Sequence, residues 1–377
     1  MKNKLIIIIS CLVSFVIFYS ILFFFTFLNF KNEFKYSFKT LKNLEIHQKY
    51  SKKIHHIREE INLLNYFKKT TELDLIFTSI NKFKKENDIV LFQGDSWFEQ
   101  INGAKKTNFF SYTLLEKFGK DNNLSFINAA ASSYSPTLMN LQLDLLEKDF
   151  KIFPDIVVAY IDQVNIGDEL CRYKKNKVYS NGKLASINPE TDFSGPGWYN
   201  YSELYGISRI YLNNNNKFLK TFQLINFKIY YKTNQFLNKI KKNFLSDKKN
   251  EIKKCYFEEV EKYLIKPTKE DIRNFEKTIE EYIEKVKEKK NIKKLILVTF
   301  PYKKHFESSY NYNVSDSVER VVSKKENIEH LNFSKLLLND KKFKHENIWF
   351  HDQIHLNAIT HANLFIKKIL TELSRHI

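Results

Sequence analysis

Four short apolar runs, Asp88–Phe92, Leu124–Ala130, Asp155–Ile161 and Lys294–Phe300, are separated by stretches with helical patterning, and this alternation leaves few folds open to the chain. Helices are expected near Ser111–Lys120, from Thr137 to Lys148 after Pro136, from Thr268 to Lys289, and over about Ala358–Ser374. Short runs that are apolar throughout suit strands covered on both faces, and the helices between them let the strands run parallel. The pattern predicts an α/β domain over residues 88–377, with a parallel sheet between two helical layers. A stretch at about 166–263 interrupts the alternation and reads as an insertion. It contains Gly195-Pro196-Gly197-Trp198 and the segment Lys217–Lys254, where eleven lysines meet only Asp247 and Glu251 as counter-charges.

Ahead of this domain, Leu5–Phe30 has 26 residues without a charge, following Lys2 and Lys4. At about 1.5 Å per residue the run can cross a hydrocarbon core of roughly 30 Å. It lacks the short core and small-residue exit of a cleaved signal peptide, so a retained transmembrane anchor over residues 5–30 is expected. Lys31, Lys35, Lys39 and Lys42 rival the N-terminal amine, Lys2 and Lys4, so charge does not set the orientation. Phe34, Phe38, Leu41 and Leu44 recur at helical spacing and suggest a helical stalk or cap over residues 31–87.

Composition narrows the chemistry. The chain has 8 glycines, none after Gly206, and neither of the usual glycine-rich phosphate motifs. Cys11, Cys171 and Cys255 have no metal-ligand spacing and allow at most one bridge, Cys171 to Cys255. Half of the net charge of +18 lies in residues 217–254. That segment reads either as a solvated helical face whose lysine stems cover apolar surface, or as a patch drawn to an anionic membrane or polysaccharide. No recognised nucleic-acid fold accompanies it, so nucleic acid is not an expected partner.

Open parallel sheets bind ligands beyond the carboxyl ends of their strands. Gln93-Gly94-Asp95-Ser96-Trp97 follows the first run, Asn128–Tyr134 the second, and Asp162-Gln163-Val164-Asn165 the third. Asp352-x-x-His355 stands before the last helix. Acyl transfer through a serine needs a base for the hydroxyl, a carboxylate to orient that base, and donors for the developing oxyanion. Ser96, His355 and Asp352 fill the first three places. The backbone amides of Ser96 and Ser133, with a side-chain amide from Gln163 or Asn165, fill the last. His351 could join Asp352 and His355 around a metal, but no further ligand cluster accompanies them and none is expected. His305 reads as a substrate contact or as a solvated loop histidine.

Gly94-Asp95-Ser96-Trp97 and Asp352-x-x-His355, with two strand-end loops between them, resemble the four blocks of the SGNH hydrolases, the GDSL esterase/lipase superfamily. The resemblance covers about Asp88–Ile377 apart from the insertion. It implies a three-layer α/β/α, flavodoxin-like domain, with the nucleophile on Ser96, the orienting acid on Asp352 and the base on His355. The family's second block supplies a glycine amide to the oxyanion hole. Ser133 stands there, and keeps a backbone donor provided that the loop does not demand positive φ. The third block's Gly-x-Asn-Asp is replaced by Asp162-Gln163-Val164-Asn165, so Asn165 or Gln163 must substitute or the hole is one donor short. The resemblance further implies ester hydrolysis through an acyl-enzyme, without metal or organic cofactor, on ester-bearing glycans or lipids of the cell envelope. Transfer of the acyl group to a sugar hydroxyl would use the same residues. A non-catalytic envelope protein holding an anionic polymer is the rival reading. The expected location is a single-pass membrane anchor with the domain outside the cytoplasm, in the periplasm.

Overall fold

Five parallel strands and one short antiparallel strand form the central sheet. β1 (Thr78–Ser79), β2 (Asp88–Gln93), β3 (Leu124–Asn128), β4 (Ile156–Tyr160), β7 (Lys294–Thr299) and β8 (Ile328–Asn332) lie in the order β1-β3-β2-β4-β7-β8. Only β1 runs against its neighbour, β3. The parallel part has the order 2-1-3-4-5 of flavodoxin-like sheets, in which the strand order reverses beside the first strand and opens a crevice there. The computed structural model describes residues 2–33, 78–81, 86–102, 109–187, 207, 210, 215–244, 255, 257–340 and 342–377. Most of the stalk expected over 31–87, and Gly195-Pro196-Gly197-Trp198, lie outside the described residues.

β3 and β4 are buried along their whole length, and β2 and β7 at every residue but the first. That is why these strands read as mainly apolar runs rather than as an alternation. The helices Pro136–Phe150, Lys269–Glu288 and Val314–Val322 pack together along one face of the sheet. Phe109–Asp121 and the C-terminal helical stretch Ala358–Leu373 pack together on the other. Lys269–Glu288 opens with a capping box between Thr268 and Asp271 and buries Phe275, Ile279, Tyr282, Ile283 and Val286, a stripe at helical spacing.

Several strands were absent from the sequence reading, among them β1, which lies in the stretch 31–87 expected to be helical. β8 is Ile-Glu-His-Leu-Asn, an edge strand whose polar residues hide its apolar ones. β5 (Lys177–Ser180) and β6 (Lys183–Ile187) form a separate hairpin, closed by Asn181 at φ 51° and Gly182 at φ 73°. Asn-Gly between two short strands is a strong hairpin signal.

The chain divides into two compact units. One joins Thr70–Glu190 and Cys255–Ile377, with Lys49–Glu59, and carries the sheet. In it, Cys171 and Cys255 form a disulfide with Cα atoms 5.7 Å apart, the one pairing the sequence allowed. The helix Phe257–Ile265 crosses the turn at Gly167, where a Cβ would lie 2.5 Å from the Val260 carbonyl oxygen, so only glycine fits. The other unit contains Met1–Gln48, Glu60–Lys69 and Thr191–Lys254. There the helix Lys2–Leu28 lies along the helix Lys217–Phe244: Tyr19 Oη donates to Asn226 Oδ1 at 3.2 Å, and the rings of Phe23 and Phe218 are 4.7 Å apart. Ile207 and Leu224 are buried against Phe30, Ile210 and Phe227. Among the described residues no helix is long and apolar enough to cross a membrane.

Candidate active site

Ser96 is the first residue of the helix Ser96–Asn102, directly beyond β2. The turn into that helix needs Gly94. Its φ is +139°, and a Cβ there would lie 2.8 Å from the Tyr160 carbonyl oxygen on the neighbouring strand. Asp95 points back into the protein and accepts the Trp97 amide at 3.0 Å. Ser96 is left half-buried at the mouth of the crevice.

His355 and Asp352 come from the loop before the last helical stretch. The loop is closed by the Phe350 amide on the His355 carbonyl at 2.7 Å and the Asn357 amide on the Ile348 carbonyl at 2.8 Å. Asn357 also caps the helix that follows, accepting from the Thr360 amide at 3.0 Å. Ser96 Oγ and His355 Nε2 are 2.7 Å apart, and His355 Nδ1 and Asp352 Oδ2 are 2.6 Å apart. The other Asp352 oxygen accepts the amides of Ile354 and His355, each at 2.9 Å. Burial raises the Asp352 pKa, but the hydrogen bonds from the His355 ring and from these two amides outweigh it and hold the carboxyl at about 2. An ionised carboxylate can only accept, so Nδ1 of His355 carries the proton. Nε2 is then the bare nitrogen, facing the Ser96 hydroxyl.

The loop after β3 is tied to this turn. The Ala131 amide donates to the Gly94 carbonyl at 3.1 Å, and Ser132 donates through its amide and hydroxyl to Glu99 at 2.8 and 2.6 Å. Ser133 has φ 61°. The loop therefore does demand positive φ at this position, and a serine in that region costs about 1–2 kcal/mol. Arg172 Nη1 donates to its hydroxyl and Tyr173 Oη to its carbonyl, both at 2.5 Å.

The loop after β4 departs from the expectation for its side chains. Gln163 Nε2 donates to the Phe300 carbonyl at 2.9 Å and to Asn313 Oδ1 at 3.1 Å, while its Oε1 accepts the Val314 amide at 2.9 Å. Asn165 Nδ2 points to the Tyr134 carbonyl at 3.3 Å and Asp168 Oδ2 at 3.4 Å, and its Oδ1 accepts the Asp162 amide at 3.0 Å. Both side chains are fully buried, and a buried amide must satisfy its donors and acceptor locally. The structure thus commits both side-chain amides elsewhere, and of the four donors expected only the backbone amides of Ser96 and Ser133 are not so committed among the hydrogen bonds described.

Buried acids lie behind the crevice. Asp162 accepts from Tyr302 at 2.5 Å, from Tyr160 at 3.1 Å and from the Gln163 amide at 2.7 Å. Burial, then the neighbouring Asp162, push Asp95 well above the usual carboxylate range. Burial likewise raises Asp168 to about 7, against the pull of Arg172 at 2.9 Å. Glu169 supplies the side-chain cap that the N-cap residue Ser135 does not give Pro136–Phe150, accepting from Ser135 Oγ, the Thr137 amide and Thr137 Oγ1 at 2.5, 2.8 and 2.5 Å.

Two histidines have local roles. His305 takes the Tyr302 amide on Nδ1 at 3.0 Å and meets the Tyr312 carbonyl through Nε2 at 3.1 Å, so it holds its own loop. His361, which sequence reasoning missed, joins Ser111 Oγ at 2.8 Å to the Trp97 carbonyl at 3.1 Å, and so pins the residue next to Ser96. Burial lowers it to about 3 and keeps it neutral. Nothing in its sequence neighbourhood signals that role.

No family profile matches the chain, and no curated protein matches it. Among solved structures it is similar to a lipase/acylhydrolase from Enterococcus faecalis, with 11% identity over 77% of this chain and 96% of that one, at a TM-score of 0.36. It is also similar to a variant of an acetylxylan esterase from Geobacillus stearothermophilus, with 14% identity over 76% and 96% of the two chains, at a TM-score of 0.35. Scores of this size carry no argument of their own. The chemistry of the site rests on its geometry.

Proposed function

We propose that this chain is a serine esterase of the SGNH type, working through Ser96, His355 and Asp352. The observation that carries the reading is the unbroken relay of short hydrogen bonds, 2.7 Å from Ser96 Oγ to His355 Nε2 and 2.6 Å from His355 Nδ1 to Asp352 Oδ2, at the mouth of a topological switch point.

As Ser96 Oγ attacks the ester carbonyl, its proton passes to His355 Nε2. The imidazolium formed is stabilised by Asp352, and its proton then goes to the departing alkoxide. Water, deprotonated by the same nitrogen, releases the acid and restores Ser96. The amides of Ser96 and Ser133 receive the oxyanion. A sugar hydroxyl in place of water would make the same site an O-acyltransferase. No step calls for a metal or organic cofactor.

The envelope location belongs to the same proposal. The single-pass membrane anchor rests on the sequence alone, on the uncharged run Leu5–Phe30, and the Cys171–Cys255 bond supports an oxidising compartment such as the periplasm. There the substrates would be acyl esters of envelope glycans or lipids, and the lysine-rich sequence of residues 217–254 would favour an anionic partner. A reporter fused after Ile377 that is active only when exported tests this location.

The chemistry is tested with a fluorophosphonate, on which Ser96 Oγ would form a bond to phosphorus as fluoride leaves. Labelling mapped to Ser96 and lost in Ser96→Ala is the expected result. The rival, a non-catalytic envelope protein holding an anionic polymer, draws support from the two amides that Gln163 and Asn165 withhold from the hole. A folded wild-type protein that stays unlabelled, yet binds a polyanion in a steeply salt-dependent way, decides for the rival.

A further inference from the structure

Ser133 combines two demands that conflict. Its amide is the second oxyanion donor in the esterase reading, and its φ of 61° is a conformation that serine adopts unwillingly and glycine freely. A residue held this way persists only where its surroundings fix it. Those surroundings are on view. Arg172 Nη1 grips the Ser133 hydroxyl and Tyr173 Oη grips the Ser133 carbonyl, each at 2.5 Å. Arg172 is itself fixed, by the buried Asp168 carboxylate at 2.9 Å and through Nε by the Cys255 carbonyl at 3.1 Å. Its sequence neighbour Cys171 is bonded to Cys255, so the guanidinium hangs from a covalently closed corner.

We propose that Arg172 is a positioning residue for the oxyanion hole: by holding the Ser133 side chain it keeps the Ser133 amide in the left-handed geometry that glycine would reach unaided. This rests on the esterase reading and adds to it a residue that touches neither substrate nor reacting atoms. The serine is then part of the device, because its hydroxyl is the handle by which the loop is held. Alanine at 133 would keep the strain and lose the handle, whereas glycine would remove the strain and make the handle unnecessary.

The test uses the full chain and the second-order rate of fluorophosphonate labelling, with a thermal melt to confirm that each variant is folded. Arg172→Met and Ser133→Ala should each slow labelling roughly 10- to 100-fold, as expected for a misplaced donor. Ser133→Gly, which keeps the amide and removes the strain, should label at least about tenfold faster than Ser133→Ala. Combining Ser133→Gly with Arg172→Met should return the rate to within about threefold of Ser133→Gly alone, where independent effects would leave the full deficit of Arg172→Met. An Arg172→Met protein that labels like the wild type, or a deficit that glycine at 133 does not restore, overturns the proposal and leaves the esterase reading standing. If Arg172→Met does not fold, Ser133→Ala against Ser133→Gly carries the test alone, and equal rates for the two overturn it. A folded wild type that never labels overturns the esterase reading and this proposal together.

Discussion

The loop after β2 and the loop after β4 leave neighbouring strands at the same edge of the sheet, yet they use their polar side chains in opposite ways. The first turns Ser96 outward, half-buried, to meet a histidine from the far end of the chain. The second turns Asp162, Gln163 and Asn165 inward, each fully buried and bonded to the protein's own groups. Position at a strand end therefore marks where a reacting side chain can stand without deciding that it reacts. What decides is whether the protein already claims the polar atoms. Gln163 bridges the end of β7 to the start of the helix Val314–Val322, and an amide so employed cannot also wait for an oxyanion.

The largest expected effect lies on the reactive side. Asp352→Asn should lower the turnover of an activated ester by about 10⁴, because an amide in that place favours the wrong imidazole tautomer. Titrating kcat in the variant against wild type checks this, and a loss under about tenfold would remove Asp352 from the mechanism. On the other side, Gln163→Leu should behave as a structural loss. Leaving the Val314 amide and Phe300 carbonyl unpaired costs about 1–3 kcal/mol by denaturant unfolding, with labelling of the folded protein altered by less than about tenfold. A drop of 10²–10³ in labelling at unchanged stability would instead make Gln163 an oxyanion donor and erase the contrast.

A subtler effect comes from Asp168. Its pKa in the folded protein is raised to about 7, so between the unfolded value near 4 and that point the folded state holds more protons than the unfolded one. Stability from this group therefore falls as pH rises across that window and levels off above it. Removing the ionisation should flatten this fall, so the melting temperature of Asp168→Asn relative to wild type should climb from pH 4 to pH 7. A difference that stays constant with pH would mean that Asp168 titrates alike in both states.

Much of this was legible in residues. β2, β3, β4 and β7 announced themselves because burial on both faces favours apolar residues at successive positions, with few polar ones such as Ser125 and Asn128 among them, and Ser96, Asp352 and His355 stood out by their places at the ends of the domain. β8 was hidden because an edge strand tolerates Glu329 and His330. The fates of Gln163 and Asn165 were hidden for another reason. An amide at a strand end looks the same in sequence whether it faces a substrate or the Phe300 and Tyr134 carbonyls, which lie 137 and 31 residues away along the chain. The left-handed turn at Ser133 was equally silent, since the residue that usually signals such a turn is absent.

The disulfide between Cys171 and Cys255 lies within the sheet-bearing unit, which the chain leaves after Glu190 and rejoins at Cys255 itself; the two cysteines are 84 residues apart in sequence and 5.7 Å apart between Cα atoms. The return of residues 191–254 is thereby covalently moored, while Arg172 and Tyr173, which hold Ser133, come before the departure. The length and charge of residues 191–254 can drift while that mooring stays fixed, so a lineage could retune what this segment meets without disturbing the loop at Ser133.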